Sequence, residues 1–92
     1  MTDEIIQRIK LSNRLGLHAR ASAKLVALAK RFESNVQIGT ENKLVDATSI
    51  MSVMMLAAAE GTELTVVARG SDRVEAIAAV IELIDHRFGE PD

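Results

Sequence analysis

Between Ile5 and Leu11 the chain alternates, with Ile5, Gln7, Ile9 and Leu11 on one face and Ile6, Arg8 and Lys10 on the other. That period of two predicts a half-buried strand. After Ser12-Asn13-Arg14, a polar loop, the period lengthens. From Ala19 to Phe32 the residues are good helix formers, and Leu25, Leu28, Ala29 and Phe32 recur at i, i+3, i+4 and i+7, which predicts a helix ending near Phe32 or Glu33. Val36 and Ile38, the turn cluster Gly39-Thr40-Glu41-Asn42, and Lys43-Leu44-Val45-Asp46 read as a hairpin. A brief apolar helix runs from Ile50 to about Ala59, with Ser49 as its N-cap and Gly61 at its exit. Thr62 to Arg69 is rich in β-branched residues and reads as a strand. Asp72 with Glu75 forms a capping-box-like start to a last helix, whose stripe is Val74, Ile77, Ala78, Ile81, Ile84 and Phe88 and whose stop is Gly89. The order is β-α-β-β-α-β-α, an α+β fold with three helices on one face of a mostly antiparallel four-stranded sheet.

Composition narrows the chemistry. Residues 1–92 suffice for one domain with a single core, and with no cysteine in the chain there is no disulfide framework, thiolate nucleophile or cysteine-based zinc site. That usage fits a reducing cytoplasm. Met1-Thr2-Asp3-Glu4 lacks the basic-then-apolar pattern of a signal peptide, and no apolar run approaches the ~20 residues of a membrane span, so a soluble chain is expected. A formal net charge of −2 and the absence of Tyr and Trp argue against nucleic acid as a partner. With two histidines and no H-E-x-x-H pattern there is no metal motif, and no glycine-rich nucleotide loop is present, so no cofactor is expected.

The most promising chemistry lies in Leu15-Gly16-Leu17-His18-Ala19-Arg20. Gly16 suits a sharp turn out of the first strand, which leaves His18 at the first turn of the helix that follows. The unpaired N–H groups and the macrodipole there favour an anion, and they favour a neutral imidazole that keeps a nucleophilic lone pair. Arg20 adds a planar donor fork suited to phosphate oxygens. A phosphoryl acceptor is one reading of this pair. The other is a solvated loop histidine beside a surface charge.

Gly16-Leu17-His18-Ala19-Arg20, followed by a helix and then by Ala47-Thr48-Ser49-Ile50-Met51-Ser52-Val53-Met54, resembles the HPr family of phosphocarriers of the phosphoenolpyruvate phosphotransferase system. The resemblance extends from Ile5 to about Phe88. The tail from Asp85 onward and the small residues after His18 are similar to the nitrogen-related NPr branch. The family implies an HPr-like open-faced β-sandwich and a cytoplasmic, monomeric carrier. It also implies phosphorylation of Nδ1 of His18 by an Enzyme I-type donor, phosphate stabilisation by Arg20, and transfer to a histidine of an EIIA-type acceptor. Ser49 matches the serine that a dedicated kinase phosphorylates in some members, and the first two helices match the docking face, where Leu17, Lys24, Met51 and Met54 are expected. Ala19 and Ala21 stand where many members carry threonine and proline.

Each of these residues also has an ordinary role. Ser49 suffices as an N-cap, the Met-rich run as core, and His86 as a partner for the last helix's C-terminal dipole. Four large apolar residues, Ile50, Met51, Met54 and Met55, cannot easily all face one sheet from so short a helix, so some are expected to stay exposed. A non-covalent module that grips an anionic metabolite or a partner protein remains the alternative function on the same scaffold.

Overall fold

The computed structural model describes residues 3–91. Its elements are β1 (Glu4–Lys10), α1 (Ala19–Ala29), β2 (Asn35–Thr40), β3 (Lys43–Asp46), α2 (Ile50–Met55), β4 (Glu63–Arg69) and α3 (Arg73–Asp85), followed by a tight turn, Arg87–Gly89. The four strands form one sheet in the order β1-β4-β2-β3, with every pairing antiparallel. The predicted order and fold class hold.

Alternation along β4 explains the layering. Leu64, Val66 and Ala68 are buried and meet Val36 and Ile38 of β2, while α1 contributes Ala21, Leu25, Val26 and Ala29 and α3 contributes Ala76, Ile77, Val80 and Ile84 to one continuous core. Each fully buried Leu or Ile stabilises the fold by roughly 1.5–3 kcal/mol. The hairpin is tighter than the sequence suggests. Strand β2 continues through Gly39 and Thr40, because Thr40 pairs with Lys43 and leaves only two residues to turn. The chains approach so closely that a Cβ on Gly39 would lie 1.8 Å from the Lys43 carbonyl oxygen, so only glycine fits.

Three predicted boundaries move, each for a local reason. Helix α1 stops at Ala29 because the next N–H groups, of Arg31 and Phe32, reach only to Leu28 and Ala29, a tightened last turn. Helix α2 stops at Met55 in the same way: Leu56 and Ala57 donate to Val53 and Met54, and Ala57 turns left-handed at φ 50°. Helix α3 stops at Asp85, where the His86 imidazole donates from Nδ1 to the Glu82 carbonyl at 2.9 Å.

Helix α3 departs from its sequence pattern in its buried face and in its cap. Its buried face is Ala76, Ile77, Val80 and Ile84, while Val74 and Ala78 are exposed, because the inward arc is rotated toward the Ala76 side. Asp72 does not cap the helix with its side chain. Its carboxylate instead accepts from the Glu33 N–H at 2.9 Å, the Ser34 N–H at 2.8 Å and the Ser34 hydroxyl at 2.5 Å, tying the start of α3 to the α1–β2 connection. Those bonds, the Ser34 hydroxyl foremost, hold its carboxyl below the ordinary carboxylate range.

Candidate functional site

The turn before α1 is built by backbone bonds. Gly16 N–H donates to the Asn13 carbonyl at 3.1 Å, and Leu17 N–H donates to the Ala58 carbonyl at 2.9 Å. Gly16 sits at φ 64°, and a Cβ there would fall 2.3 Å from the Ala58 oxygen. Glycine is therefore required twice over, by dihedral and by contact. The segment after α2 thus seats the turn that presents the histidine.

His18 is the N-cap residue of α1, with extended backbone at φ −73° and ψ 179°. Its carbonyl accepts the first helical bond, from Ser22 N–H at 2.9 Å, so the N–H groups of Ala19, Arg20 and Ala21 have no partner within the helix. The Ser22 hydroxyl is buried and donates to the Leu17 carbonyl at 3.1 Å, which fixes the first turn from inside. The His18 ring does not cap the helix. It reaches the C-terminal segment.

There Nε2 of His18 lies 2.5 Å from Oε2 of Glu90, with the two side chains 23% and 9% exposed. The other carboxylate oxygen, Oε1, accepts from the Asn13 side-chain amide at 3.0 Å, and the same amide donates to the Gly16 carbonyl at 2.8 Å. Burial pushes the Glu90 carboxyl up, but the hydrogen bonds from His18 and Asn13, with the positive charge of Arg20 nearby, outweigh it and hold the group below the ordinary range. The segment is anchored by Phe88, 1% exposed in the core, and by Lys24, whose Nζ donates to the Phe88 carbonyl at 2.6 Å. Phe88 reaches the core through left-handed backbone at Arg87 and Phe88, both at φ 56°, and not as the next step of a helical stripe.

Arg20 is exposed and close enough to bear on the Glu90 charge. With Arg14, Leu15, Glu90 and Pro91 it lines a shallow depression of about 240 Å³. The arrangement therefore offers an imidazole with one nitrogen engaged, helix N–H groups and two guanidinium groups to an incoming anion.

The other expected residues separate. Ser49 caps α2, its hydroxyl accepting from Ser52 N–H at a long 3.4 Å and donating to the Ser52 hydroxyl at 2.9 Å. Met51 and Met54 are exposed, 65% and 37%, along with Ile50 and Met55, so part of the Met-rich run does face outward. Leu17, expected on a docking face, is 5% exposed and belongs to the core, because the Gly16 turn points it inward. Lys24 is exposed but spends its ammonium group on the Phe88 carbonyl. Asn13 and Glu90 were not expected at the site. They lie 77 residues apart in sequence, and nothing local marks either one. Among the described residues no helix is long and apolar enough to cross a membrane, and no group of three or more His, Cys, Asp or Glu side chains is placed to hold a metal.

Comparison with known proteins agrees with this geometry. Residues 5–86 match the family model described as the PTS HPr component phosphorylation site. The phosphocarrier protein HPr of Cupriavidus necator is 54% identical over 78 residues, which cover 85% of this chain and 88% of that one. The HPr of Pseudomonas aeruginosa is 48% identical over 83 residues, covering 89% and 92%. Among solved structures, HPr-C-His from Thermoanaerobacter tengcongensis superposes with a TM-score of 0.91 at 39% identity, covering 96% of this chain and 99% of that one. The HPr of Bacillus anthracis gives 0.84 at 36% identity, covering 88% and 96%. A turn that presents a histidine at a helix N-terminus, on this sheet order and at these identities, makes the chain a member of the HPr family of phosphocarriers of the phosphotransferase system.

Proposed function

We propose that His18 accepts a phosphoryl group on Nδ1 from a phosphoenolpyruvate-charged Enzyme I-type protein and passes it to a histidine of an EIIA-type acceptor. One observation carries the reading: His18 is the N-cap residue of α1, with Nε2 held by Glu90 and the Arg20 charge bearing on that carboxylate. Phosphoryl transfer needs alignment and charge stabilisation more than covalent help from the protein. The free N–H groups of Ala19 to Ala21 and the Arg20 guanidinium supply the charge stabilisation. The exposed apolar face of α2, Met51 and Met55 foremost with Ile50 and Met54 beside them, supplies a surface for weak and transient docking, as a shuttle that must release each partner requires. In this reading the carrier works as a monomer in the cytoplasm. Ser49, when phosphorylated by a serine kinase, places about two negative charges beside that face and opposes docking.

The test is incubation with phosphoenolpyruvate and Enzyme I-type donors from the sugar and nitrogen branches, followed by mass spectrometry. The expected product carries one acid-labile, base-stable phosphate on His18, and the faster donor identifies the branch. His18→Ala takes none while keeping its fold, and Arg20→Glu accepts about 10²-fold more slowly, the scale of one lost electrostatic contact to a transition state. Normal transfer by either variant overturns the assignment, and reversible saturation by a small anion without a covalent product favours the binding-module alternative.

A further inference from the structure

We propose that Asn13 and Glu90 are positioning residues that hold the proton of the neutral His18 ring on Nε2 and so keep the lone pair on Nδ1. The inference rests on the phosphoryl-acceptor reading of His18 and specifies how that residue is kept ready.

Asn13 is the fixed point of the assembly. Its side chain is fully buried, and its amide nitrogen faces two groups that can only accept, the Gly16 carbonyl at 2.8 Å and Oε1 of Glu90 at 3.0 Å. The amide orientation is therefore fixed by its partners. Asn13 in turn fixes Glu90, whose second oxygen lies 2.5 Å from Nε2 of His18. An ionised carboxylate has no proton to give, so Nε2 must donate, and a neutral imidazole that donates from Nε2 has its lone pair on Nδ1. The backbone anchors the assembly at both ends. Gly16 lies in the turn that carries Asn13, and Glu90 follows a segment pinned by Phe88 in the core and by Lys24 on the Phe88 carbonyl.

The transfer step balances without moving a proton. The Nδ1 lone pair forms the bond to phosphorus, the donor's bond to phosphorus breaks, and the donor atom leaves with that electron pair. Nε2 keeps its hydrogen throughout, so the ring gains positive charge as the bond forms. Glu90 faces that charge from the opposite side of the ring. When the phosphoryl group moves on, Nδ1 recovers its lone pair and the same tautomer is restored.

Glu90→Gln tests this with an isosteric change. If the glutamine oxygen keeps the bond from Asn13, its NH₂ group faces Nε2, and the ring must then accept there and carry its proton on Nδ1. The opposite amide orientation sets two NH₂ groups against each other. The variant should thus reverse the tautomer as well as remove a charge. The measurement is the ¹⁵N chemical shifts of the His18 ring in the full-length, unphosphorylated protein at a pH where the ring is neutral. It is paired with single-turnover phosphorylation by an Enzyme I-type donor charged with phosphoenolpyruvate. Expected are an Nε2–H tautomer in the native protein and an Nδ1–H majority in Glu90→Gln. Acceptance should fall by about 10²-fold or more, a loss bounded above by the effect of reversing a carboxylate-held catalytic histidine, with donor concentration dependence unchanged. Glu90→Ala should leave a mixture and an intermediate rate. An Nδ1–H tautomer in the native protein, an unchanged tautomer in Glu90→Gln, or an unchanged rate overturns the proposal. If no donor phosphorylates native His18, the carrier reading fails, while the ring shifts still decide where the proton sits.

Discussion

At the scale of single residues, the site depends on a few atoms that tolerate no substitute. Gly16 is the plainest case, because its left-handed dihedral and the Ala58 oxygen 2.3 Å from a would-be Cβ exclude every other side chain. Gly16→Ala should cost at least about 2 kcal/mol, strain and displacement together, and should shift His18 with the turn. Urea unfolding checks the first and the His18 ring shifts check the second; a variant as stable as the native protein would mean that the turn relaxes freely. His18, Arg20 and Gly16 were legible in the sequence because their chemistry is local: a turn residue, an imidazole and a guanidinium within five positions. Glu90 was not. A carboxylate far along the chain gains a role only when folding brings it to a ring, and no pattern of neighbours announces that.

At the scale of elements, the periodicities gave the right order and most faces, and the ends needed tertiary contacts. Asp72 illustrates the difference. Its position before α3 with Glu75 three residues on reads as a capping box, yet its carboxylate serves Glu33 and Ser34, because the α1–β2 connection lies against it and offers two N–H groups and a hydroxyl. Since these bonds depress the folded-state pKa, the unfolded chain binds more protons as the pH drops. Their contribution to stability is fully present above the ordinary Asp value of 3.8 and is lost as pH falls through the lower folded value. Asp46, depressed chiefly by the Thr48 hydroxyl, and Glu90 act with the same sign. Denaturant midpoints should therefore fall steeply below about pH 4, and Asp72→Asn should lower the midpoint at pH 7 while flattening that acid limb. An equally steep limb in the variant would show that other groups carry the acid sensitivity.

At the scale of the whole molecule, the C-terminal segment joins the last helix to the first turn. Phe88 is the hinge of that closure: it fills the core while Lys24 holds its carbonyl and Glu90 beyond it reaches His18. Phe88→Ala should cost about 3–5 kcal/mol, a large share of the roughly 5–15 kcal/mol that holds a domain together. A urea titration at neutral pH gives the number, and a loss below about 1 kcal/mol would mean that the segment is only loosely seated. The sequence alone determined the strand and helix order, the antiparallel layering and the histidine–arginine pair, because alternation, helical stripes and turn chemistry are properties of neighbouring residues. Tertiary structure alone decided that Leu17 points into the core, that α3 buries Ala76 and Val80 in preference to Val74 and Ala78, and that Asn13 and Glu90 meet at His18. Those outcomes turn on how one element is rotated against another and on where a left-handed reversal sends the chain, and both are set by the packing of the assembled core.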